Sequence, residues 1–152
     1  MFRKLTLLLF FIILCQFAGI LGSIFTIPAL ESWYPTLTKP FFNPPSFIFA
    51  PVWTILYLLM GISLYMAWGN KKININWFWL QLGLNILWSI IFFGLQSPFL
   101  GFFVILLLWY TIFMTIKEFR KYNKPASYLL YPYIIWVSFA ALLNFAIMIL
   151  NI

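Results

Sequence analysis

Trp77-Phe-Trp-Leu-Gln81-Leu-Gly-Leu-Asn85-Ile-Leu-Trp88-Ser89-Ile-Ile-Phe92-Phe93-Gly94-Leu-Gln96, followed by Ser97-Pro98 and then Phe99 to Ile116, is the stretch that decides the fold. From Trp77 to Ile116 it carries no charged residue. A membrane-spanning helix needs roughly 20 mostly apolar residues, so this run holds two crossings. Gln96-Ser97-Pro98 is a very short turn, which makes the two crossings antiparallel neighbours. Working outward, nine basic residues and two acids punctuate the rest of the chain into three more such runs. The spans are Leu5–Thr26, Phe47–Gly69, Trp77–Gln96, Phe99–Ile116 and Tyr128–Leu150.

Composition agrees. Hydrophobic residues make up 65% of the 152 residues and charged residues 7%, against about 25% charged in a soluble domain. Five spans leave only short connections, so the expectation is an all-α, integral-membrane bundle of five transmembrane helices forming a single domain over 1–152. The apolar run of the first span continues past Cys15 to Phe25, too long for an ordinary signal peptide.

The net charge of +7 does not point to nucleic acid. Arg3, Lys4, Lys71, Lys72, Lys117, Arg120, Lys121 and Lys124 all fall on one side of the five spans, and Lys39 alone on the other. This is the positive-inside pattern. It predicts the N-terminus in the cytoplasm and the C-terminus outside, with the basic loops available to lipid head groups.

The first loop, Ile27 to Ser46, contains Pro28, Pro35, Pro40, Pro44 and Pro45, and should be extended and ordered. Trp33 and Tyr34 are read either as an interfacial aromatic belt or as part of a lid over a cavity opening outside. Trp53 and Tyr57 share a face of the second span. Gln81, Asn85 and Ser89 form a polar stripe on the third, which lipid leaves unsatisfied and which must face the interior, with Trp88 one turn from Asn85. The fourth span is the most uniformly apolar and reads as a lipid-facing or packing helix. On the fifth, Trp136, Ala140 and Asn144 make one stripe, either a pocket wall or an interhelical contact. Gly83, Gly94 and Gly101 are candidates for close helix approach.

Much chemistry is excluded. Glu31 and Glu118 are the only carboxylates and both lie outside the apolar spans, which argues against a proton pump or an acid-ringed cation channel. There is no histidine and a single cysteine, so no metal site and no Ser-His-Asp set is expected. What remains is aromatic: Phe, Tyr and Trp are 23% of the chain. A cavity of indoles and amides suits a flat, apolar ligand with a few polar edges.

The sequence Trp33-Tyr34-Pro-Thr-Leu37-Thr-Lys39-Pro40, then Pro44-Pro45, Pro51-Val-Trp53-Thr-Ile-Leu56-Tyr57, Leu84-Asn85-Ile-Leu-Trp88-Ser89-Ile-Ile-Phe92-Phe93-Gly94, and Pro132-Tyr133-Ile-Ile-Trp136-Val-Ser-Phe139-Ala140-Ala-Leu-Leu143-Asn144 resembles the translocator protein / tryptophan-rich sensory protein (TspO/MBR) family over nearly its whole length. The resemblance implies a bundle whose long first loop closes over a pocket. It implies binding of porphyrins such as protoporphyrin IX and of drug-like hydrophobic ligands, with no intrinsic cofactor, and often a homodimer. In some bacterial members it implies light-dependent porphyrin breakdown that depends on two tryptophans, matched here by Trp53 and Trp136. It places Trp33, Tyr34, Pro44, Asn85, Trp88 and Ala140 in the pocket, beside Tyr57, Ser89, Phe92 and Asn144 on the same motifs. A bacterial cytoplasmic membrane is the implied location. The tail after Asn144 lacks the tyrosine-plus-basic motif that animal members associate with cholesterol. Three functions therefore compete: a tetrapyrrole sensor or carrier, a light-driven porphyrin-degrading enzyme, and a structural or partner-binding membrane protein whose aromatics only pack.

Overall fold

A computed structural model describes residues 2–152. The helices are α1 (Phe2–Ser32), α2 (Phe49–Trp68), α3 (Asn76–Ser89), α4 (Pro98–Tyr122), α5 (Lys124–Tyr128) and α6 (Tyr131–Leu150). Among the described residues there is no strand. Five segments are long and apolar enough to cross a membrane, α5 and α6 together forming the fifth. All five predicted spans are present, and the first, fourth and fifth are longer than the apolar runs alone suggest.

The largest difference is at the first loop. α1 runs through Pro28 to Ser32, so the connection is Trp33–Pro45 rather than 27–46. A proline inside a helix removes one backbone bond, which membrane helices tolerate, and hydroxyls add bonds to the turns on either side of Pro28. Here Ser23 Oγ donates to Ile20 O at 2.7 Å, Thr26 Oγ1 to Gly22 O at 3.1 Å and Ser32 Oγ to Pro28 O at 2.7 Å. α4 extends past Ile116 because Lys117, Glu118, Arg120 and Lys121 carry it into the interface; Glu118 accepts from Lys121 Nζ at 2.8 Å and from Asn74 N at 3.2 Å.

The fifth span is broken. Asn123 caps α5 by accepting from Ala126 N at 3.1 Å, and its amide donates to Met66 O at 2.8 Å. After Leu129-Leu130 the chain restarts as α6 with Pro132 in its first turn, where its missing N–H costs nothing. The turn between α3 and α4 is as short as the sequence predicts. Its Gln96 takes a left-handed conformation (φ 53°), and Ser97 Oγ then caps α4 by accepting from Leu100 N at 3.3 Å.

The helices form a ring. α1 packs against α2 and α3, and α4 against α3 and α6. Aromatic side chains close the seam between α2 and α6: Trp53 against Tyr133 and Phe49 against Trp136, both with ring centroids 6.3 Å apart. Close approach is set by glycines. Gly61 lies against the backbone of α1, where a Cβ would come within 2.6 Å of Ile12 Cα, and Gly19 leaves room for the Tyr57 ring. Of the glycines singled out by sequence, Gly94 faces Phe25 and Gly101 faces Phe92 and Asn144, while Gly83 faces open space. α4 both packs and faces lipid: Ile105, Leu108, Ile112 and Phe119 are buried, whereas Phe103, Leu107 and Tyr110 point outward.

Candidate functional site

The ring encloses a cavity of about 260 Å³ in the half of the bundle beneath the first loop. Its walls come from six segments, α1 among them. α2 supplies Phe49, Trp53 and Tyr57; α3 supplies Asn85, Trp88 and Ser89. The π-helical turn Ile90–Gly94 ends α3 and brings both Phe92 and Phe93 to the cavity. A π turn in an α-helix re-aims side chains and is frequent at functional sites. α6 supplies Trp136, Ala140 and Asn144. Tyr34 closes the top.

Ten of the twelve sequence-predicted binding residues thus line one cavity: Tyr34, Trp53, Tyr57, Asn85, Trp88, Ser89, Phe92, Trp136, Ala140 and Asn144. Trp33 and Pro44 do not reach its wall. Trp33 stands edge-on to Phe92 at 5.6 Å, and Pro44 belongs to the lid.

Two hydrogen-bond networks hold the polar residues in place. Tyr57 Oη donates to Asn85 Oδ1 at 2.8 Å, Asn85 Nδ2 donates to Tyr133 Oη at 2.6 Å, and Tyr133 Oη donates to Gln81 Oε1 at 2.7 Å. Gln81 Nε2 completes the line on Met60 Sδ at 3.8 Å. Separately, Trp88 Nε1 donates to Asn144 Oδ1 at 3.1 Å, and Asn144 Nδ2 donates to Pro98 O at 2.8 Å. The stripes on α3 and α6 are therefore both packing devices and pocket walls. The alternatives left open by the sequence are two roles of the same side chains.

One fully buried polar atom is left without a partner. Among the described residues, Trp136 Nε1 is the only buried side-chain nitrogen or oxygen without a hydrogen-bond partner. Leaving such a donor unpaired costs about 1–3 kcal/mol. The Trp136 side chain lines the cavity, and an acceptor that reached this nitrogen would recover that cost.

The first loop is a lid held by three devices. Tyr34 Oη donates to Asn43 Oδ1 at 2.6 Å, and burial pushes this phenol up to about 12, so it stays a neutral donor. Asn151 clasps Thr38, accepting from its N at 2.9 Å and donating to its O at 2.9 Å. Lys39 Nζ donates to Tyr34 O and Leu37 O, both at 2.9 Å, and to Pro35 O at 3.4 Å. Its ammonium is thus turned into the loop and away from the cavity. Asn151→Ala should expose the Thr38 amide and speed its hydrogen exchange about tenfold, the equivalent of one hydrogen bond.

The lid covers the end of the cavity, so the opening is sideways and not outward. Outward-facing Ile20 and Ile27 of α1, with Ser46, Ala50 and Thr54 of the α2 segment, line a slot between these two helices. Below it the helices are joined by Gln16 Nε2 donating to Thr54 O at 2.9 Å.

Sequence reading missed two contributors. α1 gives the cavity Gln16, Gly19, Gly22, Ser23 and Thr26; the signal was small and polar residues recurring at three- and four-residue steps in an otherwise apolar run. The other is Tyr133, three residues before Trp136 on α6, whose hydroxyl joins Asn85 to Gln81.

A polytopic helical bundle enclosing an aromatic, uncharged cavity under an ordered lid is the class of membrane protein that fold and site define. The chain belongs to the TspO/MBR family, whose model matches residues 11–150. It is 48% identical over 137 residues to the tryptophan-rich protein TspO of Archaeoglobus fulgidus, covering 88% of this chain and 89% of that one. It is 37% identical to the protein CrtK of Rhodobacter capsulatus, covering 97% and 94%, and 36% identical to the translocator protein of Ovis aries, covering 84% and 79%.

Proposed function

We propose that the protein binds porphyrin-like and related flat hydrophobic ligands in the cavity beneath the lid, as a tetrapyrrole sensor or carrier. The observation that carries this reading is an aromatic cavity free of charged side chains, walled by Trp53, Trp88 and Trp136, with the buried Trp136 Nε1 left without a partner. A family with sensory and translocator members supports it. The positive-inside distribution supports an N-terminus in the cytoplasm and a bacterial cytoplasmic membrane.

The cavity constrains the ligand. No charged side chain lines it, and a carboxylate buried without a partner is strongly disfavoured. A porphyrin would therefore hold its carboxylates outside and present its apolar edge to Trp53, Trp88 and Trp136. The enclosed volume of about 260 Å³ lies just below the roughly 300 Å³ of the smallest ordinary ligand pockets, so part of a macrocycle would occupy the slot between α1 and α2.

Titration of the purified protein with protoporphyrin IX tests this. Saturable binding is expected, and Trp136→Phe should weaken it about tenfold, one hydrogen bond's worth, with thermal stability held or raised. If Trp136 only packs, the variant changes stability and leaves affinity untouched. The dimethyl ester should bind as well as the free acid.

A second reading is light-driven porphyrin breakdown, favoured by one observation: Trp53 and Trp136 line the same cavity. The same titration under light and oxygen separates the two, since product lost in Trp53→Phe and Trp136→Phe supports turnover and its absence leaves a binder.

A further inference from the structure

The tip of the lid is built from residues that a turn in water avoids. Asn43 N donates to Pro40 O at 3.0 Å, which makes Phe41 and Phe42 the two central residues of a tight turn. Glycine, asparagine, aspartate and serine ordinarily take such places. Phe41 is 101% exposed, and Phe47, at the start of the α2 segment, is 77% exposed. The turn is fixed through Asn43, the acceptor of the Tyr34 hydroxyl, so Phe41 is held outward.

Charge is withheld from the same region. Between Lys39 and Lys71 no residue is charged, and the ammonium of Lys39 is spent on carbonyls of the loop. The exposed rings are also continuous with the lipid-facing side of the bundle. Phe41 and Phe42 meet at 5.4 Å, and Phe42 lies 6.3 Å from Phe139 of α6, on the flank that exposes Ile135.

We propose that this tip is a membrane anchor: Phe41 and Phe47 enter the leaflet on the lid's side of the bilayer, at the boundary of head groups and acyl chains. Aromatic rings favour that depth, and apolar side chains of surface-lying segments insert there. The lid is then held from below by its hydrogen bonds and from the side by lipid, so its position over the cavity responds to the surrounding bilayer. A second copy of the chain or another protein covering the tip is the competing occupant.

The test uses nitroxide labels on the full chain in phosphatidylcholine–phosphatidylglycerol vesicles. Phe41→Cys and Phe47→Cys are labelled separately; Cys15 is fully buried, so the wild-type chain serves as the labelling blank. Leu107→Cys on the outer face of α4 gives the lipid reference and Lys71→Cys the aqueous one. Collision with oxygen should dominate over collision with a water-soluble nickel chelate at positions 41 and 47, as at 107. Chelate-dominated relaxation, as at 71, overturns the proposal. Protection from both reagents overturns it too, because it means that protein covers the tip. Both positions are at the surface, so neither substitution disturbs packing, and unchanged thermal unfolding of each variant checks this.

Discussion

Gly61→Ala is expected to lower stability by about 3 kcal/mol, at the upper end of overpacking costs. The added Cβ would stand 2.6 Å from Ile12 Cα and 2.9 Å from both Ile12 N and Phe11 O. These are backbone atoms, so no rotamer change relieves the clash, and α1 and α2 have to separate. In a membrane, helices associate largely through such close packing, because lipid offers apolar side chains as good an environment as a neighbouring helix does. Separation would also break the bond from Gln16 to Thr54 O and widen the slot into the cavity. Gly83→Ala is the control. Its Cβ meets nothing within 4 Å, and it should gain stability by up to about 1 kcal/mol through helix propensity alone. Thermal unfolding in one detergent measures both, and equal effects would refute the role given to Gly61.

Asn85→Leu should cost a similar amount, about 3 kcal/mol. It leaves the Tyr57 hydroxyl without its acceptor and the Tyr133 hydroxyl without its donor, deep among buried residues. Each orphaned polar group costs about 1–3 kcal/mol, and a partly satisfied network is worse than an apolar one. This gives the prediction a second arm. Removing the hydroxyls as well, in Asn85→Leu with Tyr57→Phe and Tyr133→Phe, should restore part of the loss, since an apolar replacement of all partners leaves fewer groups unsatisfied. A triple variant no more stable than the single one would show that shape, and not hydrogen bonding, sets the cost.

Asn85 also shows how far the sequence could be read. Its spacing with Gln81 and Ser89 placed it inside the bundle, because an amide has no partner in hydrocarbon. Spacing along one helix says nothing about which hydroxyl arrives from another, so the roles of Tyr57 and Tyr133 came only with packing. Trp136 was similar. Its stripe with Ala140 and Asn144 was legible, but that Asn144 is consumed by Trp88 and Pro98 while the Trp136 N–H has no partner is a fact of three helices at once. The glycines were legible in part for a related reason. Gly94 and Gly101 do take close contacts and Gly83 faces open space, but the close approach of two backbones is at Gly61, and only the partner helix shows it.

The sequence by itself determined the class of molecule: five spans, their boundaries to within a turn or two, the grouping of basic residues on one side, and the absence of carboxylates from the apolar runs. These follow from transfer energies of single residues into lipid, which act position by position and need no knowledge of neighbours. Tertiary structure alone decided that α1 continues through Pro28, that the lid leaves a sideways slot, and which buried donor is left without a partner. Each of those depends on side chains distant in sequence competing for the same hydrogen-bonding groups and the same volume, and only the folded ring of helices settles that competition.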